Sequence, residues 1–107
     1  MITFDDFQKV ELQVGQIRSA VPVEGSTKLL QLSVDFGEEN LRTVVSGIAP
    51  YVDMESFIGS QKVFVTNLEP RIIMGIESQA MILAGKDSET LGLTTLDRPI
   101  ANGTKLS

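Results

Sequence analysis

Leu30, Leu32, Val34 and Phe36 alternate with Gln31, Ser33 and Asp35. A period of two puts the four apolar side chains on one face of a strand and the polar ones on the other. The same alternation runs through Val10, Leu12 and Val14, broken by Glu11 and Gln13, and then reverses phase. Ile17 is apolar in the opposite register, followed by Val21. A slip of one residue would turn every inward side chain outward. A bulge or sharp bend is therefore expected at Gly15, where the phase changes. A long strand bent in this way can serve two sheets, as a small closed barrel requires.

The other elements follow from similar signals. Gly37-Glu38-Glu39-Asn40 has the composition of a hairpin connection, and Leu41 to Ser46 returns as a third strand that Gly47 breaks. Asp53 is a suitable N-cap for a short helix from Met54 to Ile58, ended by Gly59. Lys62 to Thr66 reads as a fourth strand and Gln79 to Ala84 as a fifth. Between these two, Pro70 cannot donate to a ladder and Gly75 permits a turn. The intervening residues read as a long loop carrying Asn67, Arg71 and Ser78. At the start of the chain, Thr3 and Asp6 form a capping-box pattern, and Phe4 and Phe7 would share a face toward the core. Pro99 and Asn102-Gly103 punctuate a tail with two β-like pieces, around Leu93 to Leu96 and Thr104 to Leu106.

Five strands with a short helix between the third and fourth is the order of an OB-fold, a five-stranded Greek-key barrel. The expectation is an all-β fold forming one domain over residues 1–107. Its core spans about residues 4–84, and 85–107 form a C-terminal extension.

Composition narrows the function. The chain has 107 residues, 42% of them hydrophobic, which supports a buried core. It has no Cys and no His, so a thiol nucleophile, the commonest general base and the usual zinc ligands are all missing. The adjacent acids Asp5-Asp6 and Glu38-Glu39 fall at a cap and a turn, and neighbouring strand positions face opposite ways. No catalytic residue, metal or cofactor is expected. Apolar runs of about four residues fall far short of the roughly 18 that span a bilayer. A cytoplasmic protein with no membrane partner is expected. The net charge of −5, with nine Lys and Arg scattered along the chain, argues against general nucleic-acid affinity unless folding gathers the cations.

Four stretches together resemble a known family. They are Lys9-Val10-Glu11-Leu12-Gln13-Val14-Gly15-Gln16-Ile17, Lys28 through Gly37, Arg42-Thr43-Val44-Val45-Ser46-Gly47-Ile48, and Asn67 through Met81. In this order they are similar to the tRNA-binding domain family. That family includes the C-terminal module of many methionyl-tRNA synthetases, free-standing structure-specific tRNA-binding proteins and an export-related bacterial chaperone. The resemblance implies an OB-fold that pairs into a homodimer, partly through loops and the C-terminal extension. It implies recognition of tRNA by shape, without catalysis, by the chain alone or as a detached subunit of a synthetase chain. The chaperone relative supplies an alternative, a binder of unfolded peptides.

The resemblance also singles out RNA-binding positions, each with a plainer reading beside it. Lys28, at the opening of the second strand, suits a phosphate, or is a solvated strand-end lysine. Arg42 can pair a phosphate or stack on a base, or neutralise an acid such as Asp35. Ser46 and Ser78 can reach ribose hydroxyls or phosphates, or bond their own backbone. Asn67 either contacts RNA or caps its loop. Arg71 follows Pro70 on an exposed loop. Met81 matches a binding position, although a strand methionine is commonly core. Two departures stand out. Glu69 sits where a lysine is common, and Ile72-Ile73 follow Arg71 where a second cation is common.

Overall fold

The structure is a computed structural model describing all 107 residues. Its strands are β1 (Leu12–Pro22), β2 (Leu30–Asp35), β3 (Arg42–Ser46), β4 (Gln61–Val65), β5 (Arg71–Ile73), β6 (Ile76–Ser78), β7 (Met81–Ile82), β8 (Ala84–Lys86), β9 (Leu91–Leu93) and β10 (Lys105–Leu106). The main sheet runs β3-β2-β1-β4-β7, antiparallel at every step, with β10 added to β1. It curls into a nearly closed barrel, so the expected all-β, OB-like architecture is what the chain adopts.

β1 is the shared strand. Residues from Leu12 to Gln16 pair with β4, and those from Gln16 to Pro22 pair with β2. The register shift lies between Ile17 and Ser19, not at Gly15 as the alternation suggested. Gly15 answers to packing instead. A Cβ there would lie 2.6 Å from side-chain carbons of both Val34 and Phe36. Phe36 in turn meets Phe64 edge to face, with ring centroids 5.1 Å apart. A β-strand at this point needs the empty side of a glycine so that Val34 of β2 and Phe36 just beyond it can cross it.

The alternating residues fill the barrel. Ile17, Leu30, Leu32, Val34, Val44 and Phe64 are all essentially inaccessible, and each such burial stabilises the fold by about 1.5–3 kcal/mol. A 3₁₀ turn, Ala49–Tyr51, leads into the short second helix, α2 (Met54–Phe57), whose Phe57 packs into the barrel core. Asp53 stands at the N-cap of α2 without capping a backbone amide. Its carboxylate accepts from the Ser56 hydroxyl at 3.1 Å.

The first helix (Phe4–Gln8) has the expected capping box: Thr3 and Asp6 exchange bonds of 3.1 and 3.2 Å. Its apolar face does not reach the core, however. Phe4 is 68% exposed and no residue of the helix is buried. The helix precedes β1 and lies outside a barrel that Phe36, Phe57 and Phe64 already fill.

Two further differences concern the strands. The stretch read as a long loop contains a hairpin, β5–β6, turned by Met74 (φ 50°) and Gly75 (φ 78°). Both residues in the left-handed region make a tight turn of the mirror-image kind that suits twisted strands. The expected fifth strand is reduced to Met81–Ile82 on β4, and Ala84 already belongs to the β8–β9 hairpin. In the tail the β pieces are Leu91–Leu93 and Lys105–Leu106. The tail is held to the barrel by Asn102, whose Nδ2 donates to Gln16 at 3.0 Å and whose Oδ1 accepts from Gln61 at 2.8 Å. No helix is long and apolar enough to cross a membrane.

Candidate functional site

β3 and the segment that follows β6 meet along the last seam of the barrel. No regular ladder closes it. Side chains stand in for the missing strand. The Ser78 hydroxyl accepts the Val45 amide at 3.0 Å and donates to the Ala80 carbonyl at 3.3 Å. The Gln79 amide donates to the Thr43 carbonyl at 2.8 Å, and the Gln79 side chain accepts the Thr43 amide at 2.8 Å. The chain is thereby pinned to β3 on both sides of one residue, and the β5–β6 hairpin is held against β3.

Arg42 ties the same seam from its end. Nε and Nη2 make a bidentate pair with Glu38, both bonds at 2.8 Å. Nη1 donates to the carbonyls of Thr66 at 2.8 Å and Gln79 at 3.3 Å. The guanidinium lies 5.3 Å from the Phe36 ring centroid. It joins the β2–β3 turn, the exit of β4 and the seam in one geometry, which a lysine could not reproduce. The hydrogen bond from Arg42 holds the Glu38 carboxyl below its ordinary range, and Glu38 raises the Arg42 pKa in turn. The sequence offered Asp35 as the partner of Arg42. Asp35 instead accepts from Arg18 at 2.7 Å, because in the antiparallel register Arg42 lies across from Val34.

Asn67 also serves the framework. Its Oδ1 accepts the Glu11 amide at 2.9 Å and its Nδ2 donates to the Lys9 carbonyl at 2.7 Å, joining the exit of β4 to the entrance of β1.

Of the other candidates, Lys28, Arg71 and Met81 are exposed and Ser46 is half-buried. A cleft of about 130 Å³ lies between β3 and the hairpin, and Ser46, Arg71, Ser78 and Met81 all line it. Four of the seven sequence-derived positions thus converge. Lys28 lies at the same end of the sheet. It is two residues before Leu30, which pairs with Ser46, and its carbonyl accepts the Ala49 amide at 3.0 Å. The β1–β2 loop and the hairpin tip also adjoin, since a Cβ on Gly25 would be 3.5 Å from the Met74 methyl.

Charge pairing separates the cations. Of the nine Lys and Arg, Lys9, Arg18, Arg42, Arg98 and Lys105 are paired with carboxylates. Lys28, Lys62, Arg71 and Lys86 have no carboxylate within 4.0 Å. Lys86 lies 5.2 Å from the centroid of the Tyr51 ring, and Lys62 lines a small depression beside the same ring. Sequence reasoning passed over Lys62, Lys86 and Tyr51, since β4, the 3₁₀ turn and β8 have no local signal that they meet. No three His, Cys, Asp or Glu side chains are grouped to hold a metal ion.

A β2–β3 face flanked by the β1–β2 loop and by the β4–β7 connection is the ligand-binding side of an OB-type barrel, the class that takes oligonucleotides and oligosaccharides there. Residues 12–105 match the family described as "Putative tRNA binding domain". The chain belongs to this tRNA-binding domain family.

Its relatives agree. It is 45% identical over 106 residues to a methionine–tRNA ligase of Caldanaerobacter subterraneus subsp. tengcongensis, covering 99% of this chain and 16% of that enzyme. The chain thus spans a small part of the curated relatives it matches. A methionyl-tRNA synthetase-related protein of Pyrococcus horikoshii has the same fold, with a TM-score of 0.91 and 30% identity over 100% of this chain and 98% of that one. The chaperone CsaA of Bacillus anthracis matches with a TM-score of 0.87 and 29% identity, over 100% and 99% of the two chains.

Proposed function

We propose that the chain is a non-catalytic, cytoplasmic tRNA-binding module that recognises tRNA by shape through backbone contacts. It works as a homodimer, in the manner of an accessory module of a methionyl-tRNA synthetase. The observation that carries this reading is the pairing pattern of the cations. Lys28 and Arg71 are without carboxylate partners at the same end of the β2–β3 face, so phosphates can take the place of water around them. Ser46 and Met81 contact the RNA from the same cleft. Arg42, Asn67 and Ser78 serve binding indirectly, by fixing the hairpin against β3.

The homodimer has its own support. The first helix leaves Phe4 and Val10 exposed, and a groove of about 210 Å³ separates it from β10, lined by Phe4, Phe7, Val10 and Leu106. A second copy covering this surface would bury apolar side chains that one copy leaves in water.

Electrophoretic titration of bulk tRNA at low salt, beside sizing of the protein alone, tests both parts. A shifted tRNA band and a particle of twice the chain mass are expected. An unshifted band at low salt rejects the tRNA reading, and a monomer rejects the dimer.

A second reading rests on the exposed side chains of Leu68, Ile72 and Met74 and on the structural likeness to CsaA. In it the hairpin binds unfolded peptide. Suppression of a client's aggregation, lost in Ile72→Asp, would favour it; an unchanged assay in that variant would remove it.

A further inference from the structure

Ser46, Glu69 and Arg71 line the cleft beside β3, together with Leu68, Ile73 and Met81. None of the three polar side chains has an ion-pair partner inside the fold. Glu69 and Arg71 share the cleft without forming an ion pair. Unpartnered polar residues on an apolar-walled space are what mark a ligand subsite.

The chemistry of the lining limits the occupant. An ionised carboxylate only accepts hydrogen bonds, and it repels phosphate. The part of an RNA that meets Glu69 must therefore be a donor. Apolar walls next to a donor-seeking group suit an unstacked base, whose faces are apolar and whose edge is polar. Arg71, with its fork of donors, suits the phosphate of the same nucleotide.

We propose that this cleft takes one unpaired nucleobase of the bound RNA, with Glu69 accepting a hydrogen bond from its exocyclic amino group and Arg71 holding the adjoining phosphate. The proposal rests on the tRNA-binding reading above and adds one base-selective contact to shape recognition. It gives the acid at position 69 a positive role where a cation would only strengthen backbone binding. Cytosine presents an amino donor where uracil presents a carbonyl oxygen, so the cleft favours the first.

The test is competition of oligo(C) and oligo(U) ribonucleotides against labelled bulk tRNA, with the intact protein and with Glu69→Gln. Oligo(C) is expected to compete about 5-fold better than oligo(U), the lower end of what one good base contact gives. In Glu69→Gln, whose side chain both donates and accepts, the ratio is expected to approach one. Equal competition by the two oligonucleotides, with tRNA still bound, overturns the proposal and leaves the tRNA reading standing. A preference for oligo(C) that survives in Glu69→Gln also overturns it. Failure to bind tRNA at all removes both. Displacement of tRNA by an unfolded apolar peptide, and by neither oligonucleotide, assigns the cleft to peptide and overturns the proposal.

Discussion

The hydroxyl of Ser78 occupies the place of a strand carbonyl, accepting the backbone amide of Val45 at 3.0 Å on the open edge of β3. Ser78 is buried, at 6% exposure, so no water can replace that bond. The barrel is completed at this point by a side chain, and the wall it completes is also the floor of the cleft.

Ser78→Ala is therefore expected to act on stability first. It leaves the Val45 amide without an acceptor and removes a donor to the Ala80 carbonyl, which costs about 1–3 kcal/mol. Urea unfolding checks this, with a lower midpoint at unchanged slope expected. If the midpoint is unchanged while tRNA affinity falls, Ser78 contacts RNA directly.

Gly15→Ala is expected to destabilise by about 1–3 kcal/mol through overpacking. The new methyl would lie 2.6 Å from carbons of both Val34 and Phe36, and Phe36 is braced by Phe64. Thermal unfolding of Gly15→Ala beside Gly15→Ala/Phe36→Leu separates the cause. Recovery in the double variant identifies the clash with Phe36, and equal losses in the two variants would contradict it.

The hairpin turn offers a change in the opposite direction. Met74 holds a φ of 50°, a region that costs an ordinary side chain about 1–2 kcal/mol. Met74→Asn, with Gly75 following, makes the Asn-Gly pair such turns favour. It is expected to stabilise the fold by up to about 1 kcal/mol, read as a higher unfolding midpoint. A lower midpoint would mean that the contact of Met74 with the β1–β2 loop outweighs the strain.

Two ion-paired carboxylates contribute to the response to acid. The hydrogen bond from Arg18, and then the Gly37 amide, hold Asp35 below its ordinary value of 3.8, and Arg42 holds Glu38 below 4.5. A depressed folded pKa contributes stability above the ordinary value and loses it as pH falls through the folded one. Both pairs are partly exposed, so each contributes less than about 1 kcal/mol. Arg18→Gln is expected to lower the melting temperature at pH 7 and to converge with the unaltered protein as pH falls below the depressed folded pKa of Asp35. A difference that persists undiminished at low pH would show that Arg18 acts through packing.

The framework was readable because its signals are local. The alternation of Leu30 to Phe36 and the phase reversal after Gly15 mark a barrel with a shared first strand, whichever residue carries the bulge. The exposure of Phe4 was not readable, since a two-residue apolar face says nothing about whether the core has room for it. The site divided in the same way. Lys28, Ser46, Arg71 and Met81 were recognisable by position in a family pattern, and they gather around one end of a sheet. Arg42, Asn67 and Ser78 could be placed in the pattern, but partners such as Thr66 for Arg42, Val45 for Ser78 and Glu11 for Asn67 lie 24, 33 and 56 residues away in sequence. Tyr51 with Lys86, brought together only by the folding of separate elements, left no trace in the sequence at all.

If the unpaired cations at this end of the sheet hold tRNA by its phosphates, the salt dependence of tRNA binding shows it most directly. Lys28→Gln/Arg71→Gln is expected to weaken binding and to flatten the slope of log affinity against log salt by about 1.5, close to 0.7–0.9 per lost phosphate contact. Lys9→Gln/Arg98→Gln, which removes two cations already paired with Asp6 and Asp97, is expected to change the slope far less. Equal slopes for the unaltered protein and Lys28→Gln/Arg71→Gln would contradict the account.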